Sequence, residues 1–167
     1  MSRRFEHTAT YPCSPATLHE AFADRAYWEA RVAQVGGPGA ELRSVEVRDG
    51  AAGAVDVALT QRIAAEHLPS VVSRIASGDL VIAREEHWAP LEGTRASART
   101  SGAVTGTPAR ISATVELTGD DASATVRTTG RADVPVPLVG GKIEQAVCDN
   151  IVRLLEVEQR FTADWVG

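Results

Sequence analysis

Hydrophobic and polar residues alternate at the start of the chain. Between residues 4 and 11, every second position is polar, and the positions between them are Phe5, His7, Ala9 and Tyr11. This alternation predicts a half-buried β-strand. Ser14 and Pro15 then supply an N-cap and a proline at the first helical position, which predicts the start of a helix. A second short helix is predicted over about residues 25–34.

Alternation returns after the glycine-rich stretch at residues 36–39 and continues to about residue 132. Turn signals such as Asp49-Gly50 and Glu92-Gly93 separate its segments. Six strands are predicted, within about residues 40–48, 55–60, 80–88, 95–104, 110–118 and 123–132. An irregular stretch near residues 67–70 interrupts them, and Pro135 and Pro137 form a stiff connector after the last one.

The periodicity then changes to that of one long helix, from Lys142 to about Trp165. Its apolar stripe consists of Ile143, Val147, Ile151, Leu154, Phe161 and Trp165. A helix of this length extends roughly 36 Å, enough to cross a small domain.

The element order is therefore β-α-α-β6-α, and the fold class is α+β. Short turns between successive strands favour a curved antiparallel sheet of about seven strands. The last helix must bury its stripe against the concave face of that sheet. Residues 1–167 are expected to form a single domain, with a cavity between the sheet and the helix.

Composition narrows the class of partner. The chain has 44% hydrophobic residues and a formal net charge of −5, which argues against nucleic acid and against an anionic membrane surface. There is no signal-like apolar run at the N-terminus and no apolar stretch of about 20 residues. We therefore expect a cytoplasmic protein that does not insert into a membrane; the sequence leaves its oligomeric state open.

Motif spacing predicts no cofactor, metal site or catalytic group. Gly140-Gly141-Lys142 lacks the spacing of a phosphate-binding loop, so the glycines are interpreted as a sharp turn. The histidines form no metal-binding pair. Cys13 and Cys148 are expected to be free thiols.

A further group of residues carries a family resemblance. These are the run Val136 to Glu144, the segment Glu156 to Phe161, Trp165, the helix start Ser14-Pro15-Ala16, and Trp88 ending a strand. With the element order, they make the chain resemble the START-like superfamily, the helix-grip fold of birch-pollen-allergen, polyketide cyclase and lipid-transfer proteins. Within it, the chain is most similar to an actinobacterial family of uncharacterised proteins. The resemblance implies a fold and a hydrophobic cavity but no reaction.

Seven residues are candidates for contact with a ligand in that cavity: His7, Trp88, Val115, Asn150, Leu154, Glu158 and Phe161. His7 shares the inward parity of its strand and is either a hydrogen-bonded core residue or a ligand contact. Glu158 lies near the apolar stripe, so either an arginine from a strand pairs with it or it gives the cavity a polar end. Small residues on the strands, among them Gly102 and Ala113, either admit the helix closely or leave room for a ligand.

Three functions remain open at this stage. The first is non-enzymatic binding of a lipid or other hydrophobic small molecule. The second is an enzyme of the cyclase, aromatase or dehydratase type that uses His7 and Glu158 as acid and base. The third is a protein-interaction module with a filled cavity and an exposed apolar patch.

Overall fold

A computed structural model describes residues 2–167 and confirms the predicted α+β architecture. The strands are β1 (Ser2–Tyr11), β2 (Glu41–Arg48), β3 (Ala54–Ile63), β4 (Leu80–Trp88), β5 (Ala96–Val104), β6 (Arg110–Gly119) and β7 (Ala124–Asp133). The helices are α1 (Pro15–Ala23), α2 (Arg25–Val35), α3 (Ser70–Ser73) and α4 (Gly140–Val166). The stretch predicted to be irregular contains a 3-10 turn at Ala65–His67 and the short helix α3.

All seven strands form one antiparallel sheet in the order β1-β7-β6-β5-β4-β3-β2. The first strand therefore pairs with the last, from Ser2 opposite Asp133 to Tyr11 opposite Ala124. The other neighbours in the sheet are consecutive in sequence, and the segment that contains α3 joins β3 to β4.

Side-chain caps fix the pair of short helices that crosses from β1 to β2. The Ser14 hydroxyl accepts a hydrogen bond from the Thr17 backbone N–H at 3.2 Å, which confirms the predicted start of α1. Asp24 lies between the two helices, and its carboxylate accepts from the Ala26 N–H at 2.9 Å. The helices bury Tyr27 and Trp28 completely, at one end of the concave face of the sheet.

A second apolar cluster lies at the other end of the sheet. Val72 of α3 packs there with Leu80, Val134 and Ile143, so the segment between β3 and β4 covers this end. The chain enters α4 through Gly140, where a Cβ atom would lie 2.4 Å from the Val134 carbonyl oxygen. Gly141 has open space around it, so the close turn needs only the first glycine of the pair.

Helix α4 packs against β1 and β7 of the sheet and against α1, α2 and α3. Its buried Glu144 carboxylate accepts a hydrogen bond from the Val134 N–H at 3.0 Å, near the start of the helix. Near its end, the Thr162 hydroxyl bonds to the Tyr27 hydroxyl at 2.7 Å. Contacts near both ends therefore hold α4 across the sheet. No helix within residues 2–167 combines the length and the apolar character needed to cross a bilayer.

Candidate functional site

A cavity of about 130 Å³ lies between the concave face of the sheet and α4. Its floor is formed by inward side chains of β1, β3, β4, β5, β6 and β7, and its roof by α4, with Phe22, Tyr27 and Arg31 of the short helices at one end. The cavity volume approaches that of an apolar protein cavity of about 150 Å³ that binds benzene.

The floor is open because small side chains occupy one row across the sheet. Register places Phe5, Gly130, Ala113, Thr100 and Glu86 side by side on β1, β7, β6, β5 and β4. Thr100 and Ala113 have small side chains and line the cavity, so a trough lies over them, whereas the Phe5 ring covers Gly130. Large apolar residues in this row would fill the space under α4.

The roof is the middle of α4. Ile151, Leu154 and Leu155 are only half-buried although they face the sheet, and all three line the cavity. The helix is fixed on either side of them, through Glu144 and Thr162. The middle of α4 therefore bridges the trough without descending into it.

A network of four buried charges closes one part of the cavity. Glu158 of α4 bonds to Arg31 of α2 at 2.5 Å and to Arg84 of β4 at 2.6 Å. Arg84 also donates to Glu86 at 2.6 Å, and Trp88 Nε1 donates to the second oxygen of Glu86 at 3.3 Å. Both carboxylates thus use both oxygens, and two positive charges balance two negative ones.

These contacts keep Glu158 ionised. Burial by itself would raise the pKa of Glu158, but the guanidinium groups of Arg31 and Arg84 outweigh burial and lower it from 4.5 to about 2. Burial raises the pKa of Tyr11 and of Tyr27, so both phenols at this end of the cavity stay protonated.

Gln61 of β3 and Thr128 of β7 are buried polar residues that line the cavity. Within residues 2–167, the side chains of these two residues make no hydrogen bond to other side chains or to the backbone. Gln61 lies opposite Ile82, and Arg84 is the diagonal neighbour of Gln61 on β4. In the same part of the chain, Arg84 Nε is the one fully covered side-chain nitrogen or oxygen that lacks a partner. The amide atoms of Gln61 are not fully covered, so this amide is accessible to a polar group inside the cavity.

Five of the seven candidate residues from the sequence line the cavity: His7, Trp88, Val115, Leu154 and Glu158. Strand pairing places His7 and Val115 in one row of the sheet, because His7 lies opposite Thr128 and Thr128 lies opposite Val115. Glu158 is paired with a strand arginine, Arg84, and also with Arg31. The role of these five residues as ligand contacts stays a prediction.

The other two candidates, Asn150 and Phe161, do not line the cavity. Asn150 is exposed, and its amide donates to the Ala146 carbonyl of its own helix at 2.9 Å. Phe161 is buried beside Tyr27, with ring centroids 5.7 Å apart. Asn150 is exposed because the rotation of α4 about its axis turns the buried side toward Glu144, Cys148 and Thr162. Phe161 instead packs against the short helices through Tyr27.

Sequence reasoning allowed for a strand arginine beside Glu158 but did not identify it as Arg84, and it missed Arg31 and Glu86. Arg84 and Glu86 share the inward parity of Trp88 on β4, and this polar interruption of a buried face is a detectable signal. Arg31 lies one helical turn after Tyr27 and Trp28, on the same buried face of α2. Neither signal reveals that the two arginines meet one carboxylate, because that depends on tertiary packing.

The cavity offers little acid-base chemistry. A general acid or base works best with a pKa near the working pH, whereas Glu158 is held at about 2 with both oxygens occupied. The remaining candidate for proton transfer in the lining is His7, which has no hydrogen-bond partner for its ring among residues 2–167. Within the same residues, no group of three or more His, Cys, Asp and Glu side chains is arranged to hold a metal ion.

Comparison with known sequences gives one family and curated relatives. Residues 6–166 match the family model described as "Protein of unknown function (DUF2505)". An uncharacterised protein of Mycobacterium tuberculosis is 32% identical over 170 residues, which covers 99% of this chain and 98% of that protein.

Comparison with solved structures gives Bet v 1-like proteins. Ara h 8.0201 superposes with a TM-score of 0.57 at 12% identity, covering 99% of this chain and 98% of that one. Truncated norcoclaurine synthase from Thalictrum flavum gives a TM-score of 0.53 at 9% identity, covering 95% and 91% of the two chains. At these identities the comparison shows a shared helix-grip fold and nothing about activity.

Proposed function

The chain belongs to the DUF2505 family of proteins of unknown function, and from the geometry of its cavity we propose that it binds a small hydrophobic molecule between the sheet and α4. The observation that carries this proposal is the unfilled space of about 130 Å³ under a helix fixed near both ends. Protein interiors are close-packed, so a space of this size is a costly feature unless something occupies it.

The size and lining of the cavity support a compact ligand. Apolar side chains of α4, among them Leu154 and Leu155, face it from above, and Val115 and Ile111 face it from below. The volume suits a molecule with one ring or a short branched chain. A long acyl chain would require α4 to move away from the sheet, so a full-length lipid is less well supported than a small molecule.

We propose binding without chemical conversion. The cyclase-type alternative needs an acid and a base that exchange protons near neutral pH, and Glu158 is tied to two guanidinium groups. His7 alone does not supply the pair that the sequence suggested.

The interaction-module alternative predicts a filled cavity and a sizeable exposed apolar patch. Among the described residues, Val47, Leu138, Val157 and Trp165 are the exposed large hydrophobics. A cavity that is open favours the small-molecule proposal over this one. We further propose that the chain acts as one domain in the cytoplasm, where its two buried free thiols, Cys13 and Cys148, would stay reduced.

The test is native mass spectrometry of gently purified protein, followed by titration of stripped protein with a panel of apolar small molecules and lipids. We expect a bound mass, or chemical-shift changes on titration that localise to Leu154 and Val115. Protein that is free of ligand and binds no member of the panel at millimolar concentration would refute the proposal.

A further inference from the structure

The charges in the cavity restrict the chemical class of its ligand. Arg31, Arg84, Glu86 and Glu158 are all buried, and their side chains are at most 12% exposed. Their formal charges sum to zero, and every carboxylate oxygen already has a donor. A charged group on a ligand would therefore find no unpaired opposite charge among these four side chains.

An anionic ligand would have to compete with Glu158 or Glu86 for a guanidinium group. The displaced carboxylate would then be buried without a partner, which is strongly unfavourable. A cationic ligand would have to take a carboxylate from Arg31 or Arg84, with the same result. The network therefore selects against carboxylates and amines alike.

An uncharged polar group has a free partner. Gln61 is 93% buried as a whole residue and lines the cavity, and its side-chain amide makes no hydrogen bond to another residue within 2–167. It offers both N–H donors and a carbonyl acceptor. A purely hydrocarbon ligand would displace water from this amide without replacing its hydrogen bonds, which lowers affinity.

We propose that the ligand is a small apolar molecule that is uncharged at neutral pH and carries one hydrogen-bonding group, such as a hydroxyl, a ketone or an amide, that binds the side chain of Gln61. This inference rests on the proposed function, because it specifies the ligand of the same cavity. It assigns the network of Arg31, Arg84, Glu86 and Glu158 the role of excluding charged molecules.

The experiment compares four probes of nearly equal size: toluene, benzyl alcohol, benzylamine and benzoate. Dissociation constants are measured by NMR titration at about pH 8. We expect benzyl alcohol to bind at least about fivefold more tightly than toluene and at least about tenfold more tightly than benzoate or benzylamine.

A pair of variants tests the assigned residue. Gln61→Met keeps the length of the side chain and removes its hydrogen-bonding groups, so the preference for benzyl alcohol over toluene should fall to about twofold or less. Arg62→Met places the same new side chain at the next residue, which is exposed, and should leave the preference unchanged.

The outcomes separate this inference from the proposed function. If benzoate or benzylamine binds as tightly as benzyl alcohol, or if Gln61→Met keeps the full preference, the assignment of ligand class or of residue is wrong while the cavity still binds. If none of the four probes binds at millimolar concentration, the proposed function itself fails, together with the inference. The comparison of the four probes on the unaltered protein remains decisive even if a variant does not fold.

Discussion

Arg84 of β4 and Glu158 of α4 bind each other through two hydrogen bonds, from Nη1 to Oε1 at 2.6 Å and from Nη2 to Oε2 at 3.3 Å. Arg31 of α2 also contacts this carboxylate, through Nη2 and Oε2 at 2.5 Å. One side chain of α4 thus fixes the distance between this helix, the sheet and the short helices. The width of the cavity at this end depends on that arrangement.

Glu158→Gln should lower the free energy of unfolding by about 3–5 kcal/mol, because both guanidinium groups lose their main counter-charge inside the protein. Glu156→Gln is the matched control on the exposed side of α4 and should change it by less than about 0.5 kcal/mol. Urea denaturation at neutral pH measures both. Equal effects of the two substitutions would show that the buried network does not stabilise the fold.

Stability should also depend on Glu158 at acidic pH. The pKa of this group is about 2 in the folded protein and 4.5 when unperturbed, so the folded state binds fewer protons. Its contribution of about 3 kcal/mol is therefore complete above about pH 4.5 and is lost as the pH falls toward 2. Between pH 6 and pH 4, the unaltered protein should lose about 1 kcal/mol more than Glu158→Gln does. Parallel pH profiles of the two proteins in urea denaturation would contradict this assignment.

Filling the cavity should abolish binding without unfolding the protein. Leu154→Trp adds a ring to a half-buried position of the roof, and we expect the affinity for benzyl alcohol to fall at least about tenfold. The unfolding free energy should change by less than about 1 kcal/mol, because the new side chain occupies existing space. Arg153→Trp, on the exposed side of the helix, is the control. Unchanged affinity in Leu154→Trp would place the binding site elsewhere.

Two glycines of the sheet should respond differently to alanine. At Gly130 a Cβ atom would lie 2.4 Å from Phe5 Cζ and 2.7 Å from the Ser112 carbonyl oxygen, so Gly130→Ala should destabilise the protein by about 1–3 kcal/mol. At Gly102 the nearest atoms are 3.5 Å away, on Ile111, and Gly102→Ala should cost less than about 0.5 kcal/mol. Thermal unfolding of the two variants measures the difference. A larger loss of stability in Gly102→Ala than in Gly130→Ala would show that the space beside Phe5 can accept a methyl group.

Leu138 offers a test of backbone strain. It has a φ angle of 69° and a fully exposed side chain, and the Val139 N–H donates to the Pro137 carbonyl across it at 2.9 Å. A positive φ is unfavourable for leucine, so Leu138→Gly should raise the unfolding free energy by up to about 1 kcal/mol. Leu138→Ala keeps the strain and should leave stability within about 0.5 kcal/mol. Equal values for the two variants would show that the turn carries no strain.

Local patterns in the sequence predicted much of the fold. Three predictions depend on short-range geometry: the strand alternation that includes Phe5 and Tyr11, the helix cap formed by Ser14, and the helical spacing of apolar residues up to Trp165. The structure has the elements that these patterns indicate. Trp165 itself is 40% exposed, although its ring contacts that of Tyr27, with ring centroids 5.7 Å apart.

The cavity was less predictable than the fold because it depends on how α4 is rotated. Hydrogen bonds from Val134 to Glu144 and between Tyr27 and Thr162 set that rotation. Tyr27 is far from α4 in sequence, so helical spacing could not place Asn150 outside the cavity. The buried partners of Glu158 lie on α2 and β4, and only tertiary structure brings them together.

The pairing of β1 with β7 has a kinetic consequence. The first strand pairs only with the last one, so the entropy of closing nearly the whole chain opposes this pairing. We expect refolding in the range of milliseconds to seconds, slower than that of a helical bundle of equal length. A hydrophobic compound that binds only the closed cavity should therefore slow unfolding and leave the rate of refolding unchanged.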